Sequence, residues 1–138
     1  MANALNPSKY IRAGIIAALP NYRVFNNRIP PNVTTPQLYV MIVNQGLNDY
    51  AIGKQCHEWE CTFTLLVVYR GTLGYDYSSI VDDACQEIDN AIRDMKIPNF
   101  YNKQCRPEGS FDDTYDTPTN TINRKRLSYS IWVNNADI

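Results

Sequence analysis

Three short runs hold the residues best equipped for chemistry: Cys56, His57 and Cys61; Asp112, Asp113 and Asp116; and Arg124, Lys125 and Arg126. The first looks like half of a zinc site. A tetrahedral site needs ligands that converge on one point, about 2.0–2.3 Å from the metal. The surrounding residues read as a strand, on which Cys56 and Cys61, an odd number of positions apart, point to opposite faces. His57 is the only histidine, and no motif supplies the converging partners that a general base needs. It reads as a polar residue at the start of that strand. The aspartates lack the alternation and closing glutamate of a calcium-binding loop, so they read as a solvated acidic loop. On a strand Arg124 and Arg126 share one face and Lys125 leaves by the other, which splits a phosphate site. If that strand lies antiparallel to the one holding His57, Glu58 and Glu60 fall near those arginines. Such cross-strand pairs contribute about 0.2–1 kcal/mol each. Neither a nucleophile elbow nor a phosphate loop is present. The expectation is therefore no catalytic residue, no metal and no cofactor: a protein that binds other proteins and is not an enzyme.

Composition bounds the partners. The chain has 138 residues, enough for one ordinary domain with its own core. Hydrophobic residues make up 44% and charged residues 20%, a globular balance. The formal net charge of -1 gives no global field to attract nucleic acid or an anionic membrane. The longest apolar runs, 15–19 and 65–69, fall far short of the ~20 residues of a spanning helix. Lys9 and Arg12 precede only a short apolar stretch closed by Pro20, a poor signal peptide, so synthesis in the cytosol is expected. The four cysteines are then reduced and packed, except that Cys105 falls in a long loop at the surface. The sequon at Asn32-Val33-Thr34 reads as chance in such a context. Among ten tyrosines, Tyr50, Tyr101 and Tyr115 lie in expected loops, where they either pack locally or offer contact area to a partner.

The elements follow from periodicity. Asn6 and Pro7 open a first helix, Ile11, Ile15 and Leu19 recur at helical spacing, and Pro20 ends it. A short strand is expected at 22–25, then a connection made extended by Pro30, Pro31 and Pro36. A central strand at 38–43 leads into a turn or projecting tip over 45–54. The strongest strand is 59–69. Trp59, Cys61, Phe63, Leu65, Val67 and Tyr69 form one face; Glu58, Glu60, Thr62, Thr64, Leu66 and Val68 form the other. A second helix over about 76–96 carries Ile80, Val81, Ala84, Ile88 and Ile92, with Ser79 and Asp82 at capping-box spacing. No period marks 99–120, which is expected to be a long loop. A last strand at 122–133 shows Leu127, Tyr129, Ile131 and Val133 on one face. The expected fold is α+β, a single domain over 1–138. It is a mostly antiparallel four-stranded sheet with two helices on one face, in the order α-β-β-β-α-β. The expected core is Ile11, Ile15, Leu19, Phe63, Leu65, Val67, Ile80, Ala84, Ile88, Ile92, Tyr129 and Ile131. Phe63→Ala is expected to cost about 3–5 kcal/mol.

Four segments together resemble the tail-terminator and tail-completion proteins of tailed bacteriophages: the opening helix 11–19, the proline-bearing passage 28–40, the strand 59–69 with the helix after it, and the closing strand 126–133. The resemblance covers most of the chain as pattern and order. It implies a subunit of a homo-oligomeric ring, usually a hexamer, at the head–tail junction of a virion, made in the host cytoplasm. Its implied partners are itself, the connector or portal-side proteins, and tail tube or hub proteins. DNA passes through the lumen without specific binding, and no membrane is involved. The alternatives are a non-enzymatic adaptor of another tail-like or secretion assembly, and a small enzyme using His57. The expected interface residues are Gln45, Leu47, Asn48, Tyr50 and Lys54 in the first projection; Tyr101, Arg106, Phe111, Asp112, Asp113, Tyr115 and Asp116 in the second; and Glu58, Glu60, Arg124 and Arg126 beside them. Deleting 99–120 is expected to spare the fold and impair assembly.

Overall fold

The computed structural model describes residues 7–51 and 57–134, with the side chains of 49–51 and 57 left aside. Helix α1 spans Pro7–Ala18, and Pro7 suits its first turn because its missing N–H has no intrahelical acceptor there. The expected cap Asn6 lies outside the described residues. Ile11, Ile15 and Leu19 are buried, and Gly14 lets the helix approach the chain beyond the second helix, where an added Cβ would lie 2.9 Å from the Lys96 carbonyl. Strands β1 (Val24–Asn26), β2 (Leu38–Ala51) and β3 (His57–Thr72) follow, then helix α2 (Ser78–Arg93). Strands β4 (Tyr101–Asn102), β5 (Arg106–Asp116) and β6 (Asn120–Asn134) complete the order.

The sheet has six strands in the order β1-β2-β3-β6-β4, with β5 also on β6. Strand β4 pairs with Val133 and Asn134, and β5 with residues 121–130, so the two share the outer edge of β6 end to end. The pair β1/β2 is parallel and the others are antiparallel. The sheet is thus mixed and six-stranded, not an antiparallel four-stranded one. The loop expected at 99–120 is largely strand, which makes the order α-β-β-β-α-β-β-β. Its lack of period has a physical cause: every residue of β5 but Asp113 is exposed, so neither face selects apolar residues.

The expected alternation on β3 holds. Trp59, Cys61, Phe63, Leu65 and Val67 are buried against Ile11 and Ile15 of α1 and Val81, Ile88 and Ile92 of α2. Leu127, Tyr129, Ile131 and Val133 join them from β6. Ile80 leaves the expected core at 40% exposed, because the buried stripe of α2 is centred on Val81, Ala84, Cys85, Ile88 and Ile92. The Ser79–Asp82 capping box does not form either. Asp76 caps this end instead, accepting from the Ser78 N–H and the Ser78 hydroxyl at 3.0 Å each. Cys105 is buried, not at the surface: between β4 and β5 the chain turns inward, and its N–H donates to the Arg93 carbonyl at 3.1 Å.

Candidate functional site

Two features of this sheet carry most of the residues expected at an interface: the hairpin where β2 and β3 extend together, and the outer edge formed by β4 and β5. The hairpin is an arm, not a turn. Strands β2 and β3 stay paired from Leu38 with Tyr69 out to Ala51 with His57, across an irregularity between Val43 and Gly46. There Asn44 adopts φ 55, a left-handed conformation that asparagine tolerates better than most residues. The bulge turns Gln45 towards α1. Its Oε1 accepts from Arg12 Nη1 at 3.0 Å, and its Nε2 donates to the Ser8 carbonyl at 3.3 Å. Gln45 therefore anchors the arm to its own chain. Leu47 and Asn48 are exposed further out. Tyr50 lies opposite Glu58, and Lys54 falls outside the described residues, as does Cys56.

Strand β5 gathers most of the other expected residues. Arg124 Nε donates to Asp113 at 2.9 Å and its Nη2 closes a two-point pair with the same carboxylate. This hydrogen bonding holds the Asp113 carboxyl below its usual range. The Arg124 guanidinium also lies over the Tyr115 ring, 4.7 Å from its centroid. Lys125, on the other face, reaches Asp82 of α2 at 3.1 Å and Asp112 at 3.6 Å. Asp116 accepts from the Thr121 hydroxyl at 2.7 Å. Arg126 is half-buried opposite Phe111, and Arg106 is exposed opposite Ser130. Tyr101, Phe111 and Tyr115 are 55%, 64% and 44% exposed, three aromatic rings along one edge.

The expected partnership of Glu58 and Glu60 with Arg124 and Arg126 does not form. Strands β3 and β6 are antiparallel as supposed, but Glu58 faces Asn134 and Glu60 faces Trp132, while Arg126 and Arg124 face Leu66 and Val68. Alternation decides which face a residue takes; the register along the strand is a separate choice. Leu73 and Tyr75, exposed in the turn between β3 and α2, were not expected at the surface of interest. Their turn is held near the β5–β6 turn by the Gly74 N–H donating to the Thr121 hydroxyl at 2.8 Å. In the sequence Tyr75 stands out only as one of ten tyrosines.

A cleft of about 390 Å³ lies between α2 and β5. Its charged groups are committed to one another. Tyr129 donates its hydroxyl proton to Asp89 at 2.7 Å, Arg93 donates to Asp89 at 2.8 Å, and Lys125 pairs with Asp82. Burial pushes the thiols of Cys61, Cys85 and Cys105 up to about 12, so all three are protonated and poorly nucleophilic at neutral pH. Among the described residues no group of three or more His, Cys, Asp and Glu side chains is placed to hold a metal ion. No described helix is long and apolar enough to cross a membrane.

No known family model matches the sequence, and the search of curated proteins gives no match. Solved structures do match in fold. One is a chain from the virion of a native gene transfer agent particle, at 14% identity and a TM-score of 0.62, covering 92% of this chain and 90% of that one. A second, without a descriptive name, has 15% identity and a TM-score of 0.50, covering 90% of this chain and 94% of that one. At these identities the likeness is one of fold, and it extends over nearly the whole of both chains.

Proposed function

We propose that the protein is a structural subunit of a phage-like virion, assembling as a ring at the head–tail junction that terminates or completes the tail and docks it to the connector. One observation carries the reading: a fold shared along almost its entire length with a chain of a gene transfer agent virion. The surfaces agree with it. A ring needs head-to-tail contacts that close on themselves, and this sheet presents an exposed β4–β5 edge with three aromatic rings and a paired hairpin at its other side. The net charge of -1 suits a lumen that must let DNA pass without gripping it. The partners in this reading are other copies of the chain, connector or portal-side proteins, and tail tube or hub proteins.

Electron microscopy of the purified protein, alone and with tail tubes and connectors, tests the reading. Closed rings, or density capping the tube end, are expected. A chain that stays monomeric with both partners present overturns it.

A further inference from the structure

The two edges of the sheet differ in charge. Strand β5 carries Glu108, Asp112, Asp113 and Asp116 against Arg106 alone. Arg124 neutralises Asp113, and Lys125 reaches only as far as 3.6 Å from Asp112, which stays 68% exposed. Glu108 and Asp116 accept from hydroxyls, those of Ser130 and Thr121, and no described cation pairs with either. At the opposite edge, β1 is flanked by Arg23 and Arg28, both exposed and outside every described ion pair, with the Arg23 guanidinium over the Phe25 ring at 5.2 Å from its centroid. From Pro20 to Asn48 these arginines are the only charged residues. Among the described residues no strand pairs with the outer side of β1 or of β5.

We propose that the acidic β5 edge of one copy docks on the basic β1 edge of the next, so that Asp112 and Asp116 face Arg23 and Arg28 across a head-to-tail contact. The proposal rests on the ring reading above and names the surfaces by which the ring closes. Charges and a bulge on an outer strand also serve simply to keep it from pairing, and β5 has both, with its irregularity between Pro107 and Gly109. An edge built only for that purpose has no use for Tyr101 and Phe111 in solvent. Exposed rings and incompletely matched charge on one edge are what an interface needs. Because the edges differ, the contact is heterologous: each copy offers one of each, and neither edge is self-complementary.

Charge reversal tests this in the full-length chain. One variant carries Arg23→Glu and Arg28→Glu; the other carries Asp112→Lys and Asp116→Lys. Oligomer size is read by sedimentation velocity and native mass spectrometry, and thermal melts confirm that each variant is folded. Each variant alone is expected to self-associate about tenfold more weakly or worse, since every contact then meets like charge. Mixed at equal concentration, the two should restore the wild-type assembly with alternating subunits, because each reversed edge now fits the other variant. If the wild-type ring forms and neither variant disturbs it, this contact is overturned and the ring reading stands. If both weaken but the mixture does not recover, the pairing of these two edges is overturned. A wild-type chain monomeric at every concentration, with and without its tail partners, overturns both.

Discussion

Tyr129 is 1% exposed, stacked on Phe63 with centroids 5.4 Å apart, and its hydroxyl has one described acceptor, Asp89. Burial alone raises the Asp89 carboxyl, but the Tyr129 hydroxyl and Arg93 outweigh it and hold the group below its usual 3.8. Tyr129→Phe keeps the ring packing and removes one charge-assisted hydrogen bond, so urea unfolding should show a loss of about 1.5–3 kcal/mol. Asp89, together with Asp113, contributes to the acid limit. Asp89 and Asp113 both have folded values below the unfolded one, so each contributes stability that is complete above about pH 4 and is lost as the pH falls through the lower folded value. Thermal melts should therefore be insensitive to these two groups from neutral pH down to about pH 5 and fall steeply below about pH 4. Asp113→Asn should flatten that acid limb, and an unchanged limb would show that the Arg124 pair contributes nothing to it.

The elements were legible where they bury one face. Both helices and the strands β3 and β6 announce themselves because the core takes alternate or every third-to-fourth residue, as from Trp59 to Val67 and from Leu127 to Val133. The outer strands bury too little to leave such a mark. In β5 Pro107, Gly109 and three aspartates read as loop, and in the outer half of β2 so do Gly46, Asn48 and Asp49, yet both segments pair in the sheet. The aromatic and acidic residues of 99–120 stand out in the sequence by type, but their alignment on one edge of the sheet needed the pairing with β6. The register that separates Glu58 and Glu60 from the arginines had no local signature at all. One close contact between elements can be tested directly. A Cβ at Gly71 would lie 2.0 Å from the Tyr77 ring, whose hydroxyl accepts from the Thr72 N–H at 3.0 Å and whose face meets Tyr69 at 4.8 Å. Gly71→Ala must displace that ring and loosen the junction of β3 with α2, with an expected cost of about 1–3 kcal/mol by calorimetry.

On the scale of the molecule, the two projections expected from sequence turn out to be different kinds of structure. Strand β5 covers the edge of β6 along residues 121–130, so deleting 99–120 would strip a strand from the sheet and expose the backbone beside buried Ile122, Leu127 and Tyr129. That deletion should destabilise the fold, contrary to the expectation that it would be spared, and an assembly defect in it would be uninformative. The arm divides differently. Trp59 is buried and meets Phe100 edge-on at 5.6 Å, so the arm belongs to the core as far out as the Asp49–Trp59 pair. Beyond that pair, replacing 50–58 with an Asn-Gly turn keeps the register and every described core contact. This shortened chain should melt within about 3 °C of the original, since surface changes rarely exceed about 0.5 kcal/mol. If the arm reaches a neighbour or a tail partner, the same chain should fail to form rings or to cap tubes in micrographs. Normal rings from it would assign assembly to the sheet edges alone, and a large fall in melting temperature would show that the tip stabilises the domain itself.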